Sequence, residues 1–439
     1  MTIYFVGIGG AGLSPMAQLA LDCGYKVTGS DKTPSLGTQA VEQREIYVDY
    51  LQDTTYLRSV HESATPVDWV VYTAACPPDH PELLYARQAG IRVSKRDEFI
   101  NHVATSKQLK IIGVSGTDGK TTTSAMLNWV LTQMGIAHAH LVGSTLTFGP
   151  SARYQEGAEY MVIEADEFDR NFLHFHPQHS VVTNIHHDHS EIYASQTDYL
   201  QAFAQYIHQN NSEVWLWGED WRQLRPYLKS ESCVPLDRAN ERILEEIESI
   251  NLLGFHNRCN AYLALQLLRK LFKLETTVIR KHLETFPGVQ RRMEEITENL
   301  WSDYAHLPPE VKASLQMARE INPNVVVIYQ PHQNRRQHEI LYTLGGYGDC
   351  FDTAHAVYWL PTYLARETSN LAILSPEDII RTIPKNTHIR SAGSVLDLVG
   401  EIQKHRNKGR LVVAMGAGSI DGAVRQVAAE LAASVPLVA

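Results

Sequence analysis

The stretch Ile111-Ile112-Gly113-Val114-Ser115-Gly116-Thr117-Asp118-Gly119-Lys120-Thr121-Thr122-Thr123 decides how this chain is read. A β-branched run enters a glycine turn, and a helical pattern (Ala125, Met126, Trp129, Val130) begins directly after it. Glycines let successive backbone N–H groups turn toward a phosphate, and the N-terminus of the following helix adds partial positive charge. Lys120 is spaced to reach the β and γ phosphates, and the Thr121 hydroxyl to hold Mg²⁺. The common phosphate loop has a further glycine where Val114 stands, so this is the variant G-T-x-G-K-T. A chance Gly-Lys-Thr turn is the plain alternative, and the strand–loop–helix context favours ATP.

Two more strand ends follow. The apolar run Tyr160-Met161-Val162-Ile163 leads into Glu164-Ala165-Asp166-Glu167, and Val181-Val182-Thr183-Asn184 leads into His186-His187-Asp188-His189. Carboxylates at a strand's C-terminal end beside a phosphate loop are where an α/β enzyme holds its metal. Taken singly, the first is a solvated acidic turn and the second a surface histidine run. With no cysteine partner, that run does not make a closed structural zinc site. Lysine, glutamate and histidine on three successive strand ends form the stronger signal.

The chain opens with the run Ile3 to Val6 and then Gly7-Ile8-Gly9-Gly10-Ala11-Gly12, with Asp31 about 20 residues on, where a ribose-binding acid would sit. Read alone, the motif predicts NAD, but its glycines recognise only a diphosphate near a helix end. A nucleotide-sugar diphosphate satisfies the same geometry, and close packing would also use these glycines.

At 439 residues the chain calls for two to four domains of roughly 100–200 residues each. Strands alternate with helical patterns throughout, which implies parallel sheets covered by helices. The expected fold class is α/β with three domains, each a mainly parallel sheet flanked by helices. They are a Rossmann-like domain over 1–106, a central phosphate-loop ATPase domain over 107–290 and a second Rossmann-like domain over 291–439. The polar segment 101–110 reads as a linker. The formal charge of −10, with no basic blocks, argues against a nucleic-acid binder. Five scattered cysteines without a C-x-x-C fit a reducing cytosol. No run of about 18 apolar residues spans a membrane, and the N-terminus lacks a signal-peptide pattern, so a cytoplasmic protein is expected.

Taken together, these motifs resemble the Mur ligase family. Gly7 to Gly12 with Gly29-Ser30-Asp31, Gly116 to Thr123, and Glu164-Ala165-Asp166-Glu167-Phe168-Asp169 carry the resemblance. Later signatures agree in order: Thr183-Asn184 to His189, Gly254-Phe255-His256-Asn257 with Asn260, and Gly288-Val289-Gln290-Arg291-Arg292. Asp303-Tyr304-Ala305-His306, Gln330-Pro331-His332 and Met415-Gly416-Ala417-Gly418 complete the set.

The resemblance implies a cytoplasmic, ADP-forming acid–amino acid ligase of peptidoglycan precursor synthesis. It would join L-alanine to the carboxylate of UDP-N-acetylmuramate through an acyl phosphate. It further implies that Gly116, Thr117, Asp118, Gly119, Lys120, Thr121 and Thr122 hold ATP. Thr121 and Glu164 would bind one Mg²⁺ and His189 a second, with Lys120, Glu164, His189, Arg292 and Asp303 catalytic. His256, Asn257 and Asn260 would serve the adenine side. Arg292 and Asp303 would reach phosphates and ribose when the third domain closes. Gly9, Gly10, Ala11, Gly12, Ser30 and Asp31 would bind the UDP-sugar, and Tyr304, His306, His332 and Arg336 the amino acid. A monomer or weak homodimer is expected, with no nucleic-acid or membrane partner.

No lysine occurs between Lys120 and Lys229, so the carbamylated lysine of some family branches has no place here. Asp118 stands where the alanine-adding branch usually has histidine, Ser302 and Leu307 replace an acid and a histidine, and Gln333 replaces a basic residue. These departures leave L-alanine, glycine and L-serine open as the amino acid. Three other readings stand beside the first: a recycling ligase attaching a tripeptide to the same sugar, a nicotinamide-dependent oxidoreductase, and an inactive nucleotide-binding scaffold.

Overall fold

The computed structural model describes all residues except 74–75, 230–231, 366, 368–370, 385 and 434–439. The β-branched and aromatic runs form three separate sheets. In the first, β1 (Thr2–Val6), β2 (Lys26–Ser30), β3 (Val48–Asp49), β4 (Trp69–Tyr72) and β5 (Arg92–Lys95) are all parallel, in the order β3-β2-β1-β4-β5. Every residue of β1 is buried, as a central strand covered on both faces requires. The strand order reverses beside β1, which puts the Gly7–Gly12 loop at the switch point where open α/β sheets take their ligands.

The second sheet holds β6 (Lys110–Ser115), β7 (Ala139–Leu141), β8 (Ala152–Arg153), β9 (Tyr160–Glu164), β10 (His179–Val182), β11 (Val214–Trp217) and β12 (Cys233–Leu236). Its order is β12-β11-β10-β6-β9-β7-β8, parallel except for the β7/β8 pair. Because β6 lies between β9 and β10, the three loops singled out above leave neighbouring strands at the same sheet end.

The third sheet comprises β13 (Glu294–Thr297), β14 (Leu300–Asp303), β15 (Val325–Tyr329), β16 (Ala356–Trp359), β17 (Ile389–Ser391) and β18 (Leu411–Met415). It runs β13-β14-β18-β15-β16-β17, with only the β13/β14 pair antiparallel. The residues group into two compact units, 1–249 with 260–287, and 250–259 with 288–439. The first unit contains the first two sheets, and the second contains the third.

The segment 101–110 is not a linker. A helix covers Arg96–Ser106, burying Phe99, Ile100, Val103 and Ala104 at helical spacing, and β6 starts at Lys110. Its exposed face carries the polar residues that made it read as loop. A long helix spans Phe255–Phe272. Among the described residues, no helix is long and apolar enough to cross a membrane.

Candidate active site

The phosphate loop is built against the loop that follows β10. Thr117 N–H donates to the Asn184 carbonyl (3.1 Å), and Asp118 N–H donates to Asn184 Oδ1 (2.9 Å). Thr117 Oγ1 donates to the His186 carbonyl at 2.8 Å. Gly116 lies at φ +131°, and a Cβ there would meet Thr183 Oγ1 at 2.1 Å, so only glycine fits. Gly119 (φ +80°) opens the helix Lys120–Gln133, and a Cβ on it would come within 2.7 Å of Asn260 Nδ2. Asn260, 6% exposed, therefore backs the loop. Thr122 is buried in the first helical turn.

Lys120 Nζ donates to the Gly116 and Thr117 carbonyls (2.7 and 3.0 Å) and to both oxygens of Glu167 (3.0 and 2.8 Å). Burial works against its charge, but the carboxylates of Glu167 and Asp166 hold its pKa above the ordinary lysine range. Glu167 is fully buried, and His189 Nε2 lies 3.6 Å from its Oε1. The His189 imidazole is likewise opposed by burial yet raised by Glu167 and Asp188. One strand over, Thr121 Oγ1 donates to Glu164 Oε2 (3.2 Å), and Gly143 N–H donates to Glu164 Oε1 (2.6 Å). Burial pushes the Glu164 carboxyl up, with the Gly143 N–H and Lys120 acting against it.

This donor set suits Mg²⁺. A half-buried carboxylate that accepts from one hydroxyl and one N–H gains from a hard cation, and a threonine hydroxyl is an oxygen ligand. Among the described residues there is no group of three or more His, Cys, Asp or Glu built to hold a metal by itself.

In the first sheet's loop, Gly10 and Ala11 are exposed. Asp31 is turned inward to the loop, with Oδ2 accepting Gly9 N–H (2.8 Å) and Oδ1 accepting Lys32 N–H (2.8 Å). Ser30 is fully buried and donates to Glu82 Oε2 at 2.5 Å. A cleft of about 250 Å³ runs from Ala11, Gly12 and Met16 past Arg96 to Gly143, Glu164 and Asp166. Among the described residues, Arg96 is the one basic residue on its lining, with Nη2 3.8 Å from Asp166 Oδ2. The sequence reading missed both Arg96 and Glu167. Arg96 belongs to the mixed charged run Lys95-Arg96-Asp97-Glu98, which matches no motif, and Glu167 sits inside the acidic turn credited only with Glu164.

In the second unit, Tyr304, His306 and His332 come together. Tyr304 and His306 rings lie 5.7 Å apart, as do His306 and His332, and His332 stacks on Tyr363 at 11°. His306 Nδ1 is 3.1 Å from Glu310 Oε2. Burial would raise the Glu310 carboxyl, but the adjacent His306 holds it well below the usual carboxylate range. Arg336 lies on the helix Asn334–Tyr342 and pairs with Glu339 at 2.6 Å. Arg292 and Arg291 each place a guanidinium 4.8 Å from the Tyr304 ring centre. Asp303 spends its carboxylate locally, accepting from Met293 N–H, Ala305 N–H and the Ser314 hydroxyl at 2.7, 2.8 and 2.9 Å. His256 Nδ1 is buried without a hydrogen-bond partner, whereas Asn257 Nδ2 donates to the Leu253 carbonyl (3.1 Å).

Comparison with known proteins adds a second line. Residues 2–108 match the catalytic domain of the Mur ligase family, and residues 114–233 match the Mur ligase middle domain. The UDP-N-acetylmuramate–L-alanine ligase of Gloeobacter violaceus is 33% identical over 448 residues, covering 95% of this chain and 93% of its own. That of Clostridium perfringens is 29% identical, covering 95% of each. In fold, the chain matches the crystal structure of UDP-N-acetylmuramate-alanine ligase from Thermotoga maritima with a TM-score of 0.74 at 23% identity, over 99% of this chain and 100% of that one. A murein peptide ligase from Psychrobacter arcticus aligns with a TM-score of 0.61 at 21% identity, over the whole of both chains.

Proposed function

This chain belongs to the Mur ligase family, and from that premise we propose that it is a cytoplasmic ligase that joins L-alanine to the carboxylate of UDP-N-acetylmuramate at the expense of ATP, in peptidoglycan precursor synthesis. The observation that carries this reading is the cleft of about 250 Å³ whose lining runs from the glycine loop at Ala11 and Gly12 to Glu164. An acid held at one end by its nucleotide diphosphate would present its carboxylate beside the group that faces Thr121.

The chemistry follows from these residue types. The sugar carboxylate attacks the γ-phosphorus of ATP, the bond to the β-phosphate bridging oxygen breaks, and ADP leaves with that electron pair. The resulting acyl phosphate is attacked by the amine of the amino acid, and inorganic phosphate departs from the tetrahedral adduct as the amide forms. Positioning and neutralisation dominate phosphoryl transfer, so the chain needs no covalent nucleophile. Lys120 supplies the fixed positive charge, the N–H groups of the first helical turn after Gly119 cradle phosphate oxygens, and Arg96 offers the cleft a cation. Thr121 and Glu164 would hold Mg²⁺, which neutralises charge on the transferring phosphoryl group, and His189 would hold a second ion. Tyr304, His306 and His332 form the amino-acid pocket, with Arg336 facing the substrate carboxylate. Asp303 shapes the Tyr304 turn through the N–H groups it accepts. Arg292, His256, Asn257 and Asn260 are assigned to the nucleotide on the family resemblance.

The nicotinamide reading is disfavoured by Asp31, whose carboxylate braces the glycine loop instead of standing free for a ribose. A substrate-omission assay tests the proposal: phosphate release from Mg-ATP with UDP-N-acetylmuramate and each of L-alanine, glycine, L-serine or a tripeptide. Release with L-alanine supports it. Release with tripeptide alone replaces it with the recycling ligase, and no release under any combination favours the inactive scaffold.

A further inference from the structure

Lys120 and His189 meet on a single carboxylate. An ammonium has three N–H donors, and four oxygens surround the one on Lys120 within 3.0 Å, two of them from Glu167. Lys120 therefore reaches a phosphate only by giving up a partner. The two loop carbonyls belong to the phosphate cradle and are neutral. Glu167 is the charged one, and its side chain is fully buried. An ion pair of this kind is strong once formed and costly to leave half-made. Two further contacts tie Glu167 to the site: His189 Nε2 stands 3.6 Å from Oε1, and the Tyr193 hydroxyl donates to the Glu167 carbonyl at 2.6 Å. The Phe168 ring, next in the chain, packs edge-on to His189 with centroids 5.1 Å apart.

We propose that Glu167 is a positioning residue that competes with nucleotide phosphate for Lys120, releasing the lysine to the incoming triphosphate while keeping its hold on His189. This rests on the ATP-ligase reading of the site and adds to it a residue that acts through two others. Its cost is nucleotide affinity, because the phosphates must displace a buried carboxylate. Its return is alignment, because one rigid carboxylate sets the spacing of Lys120 and His189.

The test is calorimetric titration with the β,γ-methylene analogue of ATP and Mg²⁺, on wild type, Glu167→Gln, Lys120→Ala and the double variant, with turnover measured in parallel. Glu167→Gln keeps the side-chain size and removes the charge. It is expected to bind the analogue about tenfold more tightly and to lower kcat about tenfold or more, so that KM for ATP and kcat fall together. In the Lys120→Ala background the same change should leave affinity unaltered, since there is no lysine to release. Should Glu167→Gln fail to unfold cooperatively on heating, Glu167→Asp decides: its shorter reach loosens the pair and predicts a smaller gain in the same direction. Unchanged or weaker binding in the folded variant overturns the proposal, as does an equal gain without Lys120. Absence of analogue binding by the wild type rejects the ligase reading itself.

Discussion

Asp31 Oδ2 accepts the backbone N–H of Gly9 at 2.8 Å, so an acid placed where a dinucleotide fold would hold a ribose instead braces the loop that precedes it. Charge-assisted hydrogen bonds of this kind are worth about 1.5–3 kcal/mol. Asp31→Ala should raise KM for the UDP-sugar about tenfold through loss of loop shape, leave KM for ATP unchanged, and produce no response to NADH. Steady-state kinetics with each substrate varied, together with NADH fluorescence, check all three.

Glu164 is expected to matter through charge. Glu164→Gln keeps a carbonyl oxygen for Gly143 N–H and turns an amide NH2 toward the Thr121 hydroxyl, which can accept from it; it offers a cation far less, and should lower kcat by about 10²–10³ while UDP-sugar affinity is retained. Lys120→Ala should likewise abolish phosphate release and leave UDP-sugar binding intact. Turnover assays paired with calorimetry of the UDP-sugar separate these effects. Near-normal turnover in either variant removes that residue from the chemistry.

Gly116→Ala should be costly for a reason that any side chain would share. Its Cβ would lie 2.1 Å from Thr183 Oγ1 at a backbone φ of +131°. A loss of about 1–3 kcal/mol in stability is expected, with nucleotide binding weakened further because the loop must shift. Denaturant unfolding and analogue titration measure the two parts.

Asp220 provides a pH signature apart from catalysis. It is 2% exposed, its Oδ1 accepts Ile185 N–H at 3.0 Å, and its Oδ2 has no hydrogen-bond partner. Burial pushes its pKa up to about 7, with the Ile185 N–H acting against the shift. Between about pH 4 and 7 the folded chain keeps a proton that the unfolded chain releases, so this group's contribution to stability falls as pH rises through that window. Asp220→Asn should therefore be close to neutral near pH 4 and stabilising by about 1–4 kcal/mol near pH 8. Unfolding free energies across that range check the sign.

Arg336 is held by Glu339 at 2.6 Å and lies 12% exposed. Arg336→Ala should raise the amino-acid KM about ten- to a hundredfold with little change in KM for ATP. An unchanged amino-acid KM takes Arg336 out of the pocket.

Apolar runs such as Ile3–Val6 and Tyr160–Ile163 were readable as strands because buried parallel strands carry apolar residues on both faces. The helix Arg96–Ser106 was not, since Asn101, His102 and Ser106 on its outer side gave it the composition of a loop. The nearness of Lys120, Thr121 and Glu164 could be anticipated because each sits at a fixed offset from a strand end. Glu167 could not, because in sequence it is one of three carboxylates in the same acidic turn, and only the fold brings its oxygens to Lys120 Nζ. Asp303 was named on the family resemblance alone, and the N–H groups of Met293 and Ala305 that its oxygens accept come from a turn that no spacing in the sequence announces.

The adjacency of β10, β6 and β9 has a practical corollary for anyone redesigning this chain. Lys120, Glu164 and His189 are rooted in three strands laddered side by side, spaced about 4.8 Å apart, so their mutual spacing is a property of the sheet's interior. Edge strands β8 and β12 lie outside that trio. Grafts, tags or loop insertions at those margins should leave the reacting centre undisturbed, whereas a single bulge introduced into β6 would shift all three groups at once.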